Sequence, residues 1–413
     1  MKRLIIISFL IVFAVSCSGI IDKDNAAGEN QGTDVIDTAP VCVFDFTDTK
    51  NNPVEVTEVV VISDALEESP VIMELKTPSS TIKMYLKPTV NQIATYHFLV
   101  TGANGKSYHT AKDFYIPIGR RYEKSIALTR SAQSLLTDKS SWTVSQVRND
   151  LTWYNWEGYE PLTAAKQVIN VLELDLDSED LQLEFLYYPD RAKISDVAKS
   201  DSKFVAITNA SFGSGFTSGN PVDNTYIRVG GVTYKEIGLS PNDSNYGKHE
   251  SAVWYDGVSE LGFIDMPGDW EASLEYYKTT AYPNLFSSVP MLIRDFNKTN
   301  LQSYKKKFSS TPGPLTALAV TCDRKLLLIT VDGRWTDKAA GMTYKQLQDF
   351  LRIHFFPKDA INMDGGGSTC MYVKGKNVVN YPCEGGAGSG SYKEYPGTFK
   401  ERGLVTFFAI REK

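Results

Sequence analysis

At 413 residues the chain exceeds a typical single domain, so two folded units plus tethers are expected. A formal net charge of −6 with 22% charged residues offers no basic field for a nucleic-acid backbone, which argues against nucleic acid as a partner.

The chain opens with the pattern of an export signal. Met1-Lys2-Arg3 is positive, and Leu4 to Val15 is an apolar run broken only by Ser8, too short to span a bilayer comfortably. Ala14-Val15-Ser16-Cys17, small residues ahead of a cysteine, resembles a bacterial lipobox. Residues 1–16 are therefore expected to be a cleaved signal peptide, with Cys17 as lipid anchor and residues 17–40 as a flexible polar tether. The expected location is the cell envelope, membrane-anchored on an outer-membrane, periplasmic or surface face.

Residues 41–130 alternate apolar and polar positions, as in Thr81-Ile82-Lys83-Met84-Tyr85-Leu86-Lys87, with similar runs at 56–62, 71–76, 94–100 and 123–128. Short strands with polar turns predict a small all-β, immunoglobulin-like sandwich without a catalytic constellation, an accessory domain. Residues 130–141 read as the connection to a second domain at 141–413. That domain opens with Trp153, Tyr154, Trp156 and Tyr159, whose rings suit sugar stacking or core packing.

Beyond Cys17, Cys42, Cys322, Cys370 and Cys383 allow three pairings, and the strand-turn-strand pattern around Gly375-Lys376 favours Cys370 with Cys383. The scattered His97, His109, His249 and His354, without CxxC spacing, give no zinc pattern. No metal or other cofactor is expected in catalysis, although carboxylates beside glycine carbonyls leave calcium open.

The chemistry concentrates between Pro314 and Met371. Lys325 to Val331 is a nearly continuous apolar run, the mark of a strand buried on both faces, and it stops at Asp332-Gly333-Arg334. Thr343 and Gln346 have capping-box spacing, and Leu347, Phe350, Leu351 and Phe355 follow at helical intervals up to Pro357. Ala360 to Met363 then forms a short strand delivering Asp364 into Gly365-Gly366-Gly367-Ser368-Thr369. This order sets Asp332, Arg334 and Asp364 on one sheet edge. Three glycines between strands permit a close backbone approach, and their amides are expected to form an anion-binding nest.

These segments carry a family resemblance. Asp332-Gly333-Arg334, Gly341-Met342-Thr343, Asp359 to Thr369 and Glu401-Arg402 resemble the phosphodiester glycosidase family, the group that includes the mannose 6-phosphate uncovering enzyme. Thr208-Asn209-Ala210-Ser211-Phe212 resembles its Asn-Gly-Gly-Phe-Phe element, and Val289-Pro290-Met291-Leu292 its Gly-Pro-x-Leu segment. The likeness spans roughly residues 141–411 in the family's order. Two departures stand out: Ala210 and Ser211 replace glycines, and Leu315 stands where the family usually has arginine. Arg228 and Arg294 are candidates to substitute for it in space, against a plainer role in salt bridges.

The resemblance implies an α+β fold: a β-rich, mixed-sheet catalytic domain with a few helices, preceded by the small sandwich. It also implies hydrolysis of a sugar-1-phosphodiester, of the phosphodiester alpha-N-acetylglucosaminidase type. A phosphate leaving group needs little acid help but firm anion binding, so Arg334, Arg402 and the Gly365, Gly366, Gly367, Ser368 and Thr369 loop are expected at the phosphate. Asp364 is the first choice for the anomeric carbon and Asp332 the second, with Glu401 as partner. Asn209 and Asn362 are expected either at sugar hydroxyls or on buried backbone groups. Two other readings remain: a carbohydrate-binding lipoprotein without turnover, and a hydrolase or transferase acting on exported polysaccharide.

Overall fold

The computed structural model describes residues 41–413 except 49, 64, 106, 120, 129–141, 218–219, 239–247, 306–307, 309, 322–323, 336–337 and 384–400. The expected signal peptide, Cys17, tether and interdomain connection lie outside the described residues, as does Cys322. The chain divides into two compact units, Met1–Ser134 and Leu135–Lys413.

In the first unit the period-two pattern forms strands because alternate side chains share a sheet face. Along Thr81–Tyr85, Ile82 and Met84 are buried while Thr81, Lys83 and Tyr85 face outward. One three-stranded and one four-stranded sheet close over a common core. Phe44 from the first meets Phe98 from the second edge-on at 5.0 Å. The result is an all-β sandwich.

The second unit is β-rich, with three α-helices among its described residues: α1 (Ile194–Ser200), α2 (Trp270–Thr279) and α3 (Tyr344–His354). Its largest sheet has eight strands, ordered Asn297–Lys298, Met291–Arg294, Asp359–Asn362, Leu315–Val320, Lys325–Val331, Ala165–Asp175, Leu151–Glu160 and Trp142–Arg148. A five-stranded sheet runs Leu181–Ala192, Leu404–Glu412, Phe204–Asn209, Met371–Val373 and Asn377–Val378. Pairing in both is antiparallel throughout the described strands rather than mixed. Short returns such as Pro161 to Ala164 join successive strands, and such returns reverse the chain where a parallel pair needs a long crossover.

Lys325–Val331 is buried on both faces, as its sequence requires. Leu326 and Leu328 enter the core shared with the five-stranded sheet, while Leu327, Ile329 and Val331 meet α3 on the other side. Each such side chain contributes roughly 1.5–3 kcal/mol of transfer free energy. The capping box on α3 is present in both directions, Gln346 N–H to Thr343 Oγ1 at 3.2 Å and Thr343 N–H to Gln346 Oε1 at 2.9 Å. Of the aromatic run, Tyr154 and Trp156 pack in this α3-side core and Trp153 Nε1 donates to Asn170 Oδ1 at 3.1 Å. The core reading applies to them.

Cys42, Cys370 and Cys383 are buried free thiols, so the expected Cys370–Cys383 bridge does not form. Cys370 points into the core under α1, whereas Cys383 Sγ lies 3.6 Å from Gly366 O on the loop. The hairpin brings the two segments near one another but directs the thiols to different surroundings.

Candidate active site

Two strand ends build the site. Val331 pairs with Leu315 and Asn362 with Ala317, so Asp332 and Asp364 leave the same edge of the large sheet. Asp364 is then fixed by its backbone. Its N–H donates to Ala210 O at 2.9 Å, and its carbonyl accepts from Asn209 Nδ2 at 2.6 Å. Asn209 Oδ1 also accepts from Thr316 Oγ1 and the Cys370 N–H, at 2.8 and 3.0 Å. Asn209 thus ties three chain segments together beneath the carboxylate.

A small concavity of about 80 Å³ opens above Asp364, lined by Arg191, Asn209, Ser211, Gly213, Ser368, Arg402 and Gly403 to Thr406. Asp364 is the one acidic side chain among its described lining residues, and Arg191 and Arg402 are the basic ones. Burial pushes the Asp364 carboxyl up from its ordinary range, opposed by the Ser368 hydroxyl, the charges of Lys248 and Arg402, and the Gly365 amide. Arg402 Nη1 in turn donates to Ser368 Oγ at 3.1 Å, so one hydroxyl links guanidinium and carboxylate.

The other expected site residues occupy different places. Asp332 is buried and does not line the cavity; its oxygens accept from Asn380 Nδ2 and the Tyr381 N–H, both at 2.9 Å. Asn380 carries that clamp to the loop, donating to Thr369 O at 3.1 Å. Glu401 accepts from the Ser195 N–H at 3.0 Å, supplying an acceptor at the start of α1, whose N-cap Lys193 makes no side-chain cap. Asn362 is fully buried and donates to Val289 O and Met363 O. Arg334 reaches the back of the loop, 3.7 Å from Cys383 Sγ and 3.2 Å from where a Gly366 Cβ would sit. Arg294 pairs with Asp295 and Asp359, and Arg228 is taken up by the carbonyls of Tyr277, Thr280 and Tyr282, so neither stands in for the arginine replaced by Leu315.

Three amides of the glycine run are taken up by carbonyls. The N–H groups of Gly366, Ser368 and Thr369 donate to the carbonyls of Pro314, Gly365 and Gly366. Close packing explains the glycines instead: a Cβ on Gly365 would lie 2.7 Å from Pro314 O, inside any tolerable contact.

Three residues of the site carry no sequence motif. Arg191 sits at the irregular end of its strand with φ 61°, Lys248 stands alone in a polar stretch, and Tyr344 reads only as the first residue of α3. The Tyr344 phenol is pushed up to about 12 by burial and by the Asp364 charge.

Residues 202–396, which hold Asn209, Asp332, Asp364 and the loop, match the family described as phosphodiester glycosidase. This segment is a phosphodiester glycosidase domain. No curated protein matches the chain. Among solved structures, the zebrafish N-acetylglucosamine-1-phosphodiester alpha-N-acetylglucosaminidase catalytic domain, auto-inhibited by its pro-peptide, is similar at TM-score 0.45 and 18% identity. That match covers 66% of this chain and 88% of that one. A Synechocystis protein is similar at TM-score 0.40 and 14% identity, covering 87% of this chain and 75% of its own. In the present phosphodiester glycosidase domain the two-carboxylate geometry that separates retaining from inverting glycosidases has no counterpart among the described cavity residues, because Asp364 stands there alone.

Proposed function

We propose that the chain is an exported glycosidase that hydrolyses a sugar-1-phosphodiester to free sugar and a phosphomonoester. One observation carries the reading: a carboxylate whose proton affinity is raised by burial faces a cavity whose other charged walls are Arg191 and Arg402. The arginines suit a phosphodiester anion through charge-assisted, bidentate bonds. A raised carboxyl is the stronger base for activating water. Water oxygen bonds to the anomeric carbon, the bond from that carbon to the phosphate oxygen breaks, and the electron pair leaves with the phosphomonoester. The water proton passes to Asp364. Because phosphate leaves well unaided, one carboxylate suffices.

Leu315 favours a second reading, binding without turnover, since an apolar side chain 5% exposed stands where the resembling family has arginine. Incubation with an aryl or nucleotide-linked sugar-1-phosphodiester separates the two. Free sugar should appear, fall about 10²–10⁴-fold in Asp364→Asn, and fall roughly 10- to 100-fold in kcat/KM for Arg402→Ala. Binding with no release, indifferent to Asp364→Asn, would establish the second reading. Equal cleavage of a simple aryl glycoside, with Arg402→Ala harmless, would point to a phosphate-free substrate.

Export to the cell envelope with a lipid on Cys17 belongs to the same proposal and rests on residues 1–17.

A further inference from the structure

The five-stranded sheet breaks its register beside the cavity. Tyr187 pairs with Thr406 and Ala192 with Leu404, so Tyr188, Pro189, Asp190 and Arg191 stand opposite Val405 alone. Extra residues of this kind bend a strand and re-aim a side chain, and they are over-represented next to active sites. Pro189 has no N–H to give a ladder, which suits an excursion rather than a regular strand. Arg191 closes the excursion at φ 61°, a backbone region that favours glycine over any residue with a side chain.

That backbone delivers a guanidinium to the site. Across from it Gly403 lets the two segments lie close: a Cβ there would stand 3.3 Å from Arg191 Cβ, tighter than ordinary contact. Arg191 then lines the same cavity as Asp364, Ser368 and Arg402. The two arginines differ in how far they are already engaged. Arg402 Nη1 donates to Ser368 Oγ at 3.1 Å. Arg191 is exposed, and its guanidinium makes no hydrogen bond or ion pair with a described residue. Its whole planar fork is open to an acceptor from outside the chain.

Charge says which acceptor. With Asp364 ionised, two guanidinium charges against one carboxylate leave the described walls with one net positive charge. A phosphodiester carries one negative charge, whereas a phosphomonoester carries about 1.5 to 2 at pH 7 and a plain glycoside none. Without Arg191 the same walls sum to zero, and nothing in their charge would favour the diester.

We propose that Arg191, carried to the cavity by this bulge and admitted by Gly403, is the specificity-determining residue that takes up the single charge of a phosphodiester and so discriminates against uncharged glycosides and sugar phosphomonoesters. This rests on the phosphodiester reading of the site. It adds that choosing the anion belongs to Arg191, while Arg402 stays with Ser368 beside Asp364.

The test is Arg191→Gly, which removes the fork and suits the local φ better than arginine does, so the thermal midpoint should hold or rise. With an aryl sugar-1-phosphodiester, KM should increase about 10- to 100-fold while kcat changes by only a few-fold. Arg191→Lys, which keeps the charge without the fork, should recover part of that loss. A fall in kcat and midpoint together with KM unmoved would mean a structural role and overturns the proposal. So does diester cleavage with wild-type KM in Arg191→Gly, a result that leaves the hydrolase reading intact. If no phosphodiester is cleaved, that reading falls and the inference is read from binding instead, by calorimetric titration of the full-length chain with dimethyl phosphate and methyl phosphate. Dimethyl phosphate bound more tightly than methyl phosphate, with the difference lost in Arg191→Gly, supports the assignment. No binding by the wild type, equal binding of the two probes, or binding indifferent to Arg191→Gly overturns it.

Discussion

Asp332 and Asp364 leave neighbouring regions of one sheet edge, yet their carboxylates meet opposite surroundings. Both Asp332 oxygens are spent on Asn380 and Tyr381, so it acts as a clamp on the loop, whereas Asp364 faces the cavity. Asp332→Ala leaves two buried donors without this acceptor and should lower unfolding free energy by about 1–3 kcal/mol in urea titration. Glu401→Ala removes the acceptor at the start of α1 and should cost about 1 kcal/mol while kcat stays within a few-fold of wild type. A folded Glu401→Ala protein without turnover would return Glu401 to the chemistry. The sequence shows these carboxylates equally well, because nothing in a residue's neighbours along the chain reveals which hydrogen-bond donors will surround it.

At the scale of elements, the capping box of α3 and the strand Lys325–Val331 were legible because their causes are local: a cap spans four residues, and apolar continuity reports burial on both faces. The glycines were visible too, but the reason for them was not. Gly341 combines φ +87° with a Cβ position 2.5 Å from Gly313 O, and its backbone is held by Gln167 through bonds of 2.8 and 3.1 Å. Gly341→Ala should therefore cost about 2 kcal/mol or more. Gly375→Ala, at φ +81° with open space around it, should cost about 1 kcal/mol, the backbone strain alone. Equal shifts in thermal midpoint for the two variants would mean that the Gly313 contact is unimportant. Three amides of the expected nest are taken for the same reason that the glycines are needed: the loop packs so closely on Pro314 that the Gly366, Ser368 and Thr369 N–H groups find carbonyls there and within the loop itself.

For the whole molecule, the lipid attachment proposed at Cys17 has a direct check: palmitate labelling of the expressed full-length chain, expected in the wild type and absent in Cys17→Ala, with unlabelled wild type counting against an anchor. The sequence by itself showed the alternating strands of the first unit, the strand Lys325–Val331, the helix with its cap, the glycine loop and the departure of Asp332 and Asp364 from one sheet edge, because periodicity, caps and turn residues act over a few positions. Only the tertiary structure decided which carboxylate faces the cavity, that Asn209 serves the backbone of Asp364, and that Arg191 lines the site. Those assignments depend on distances between residues far apart in the chain. Burial and electrostatics are set by what packs around a group in space, and that is written only in the folded chain.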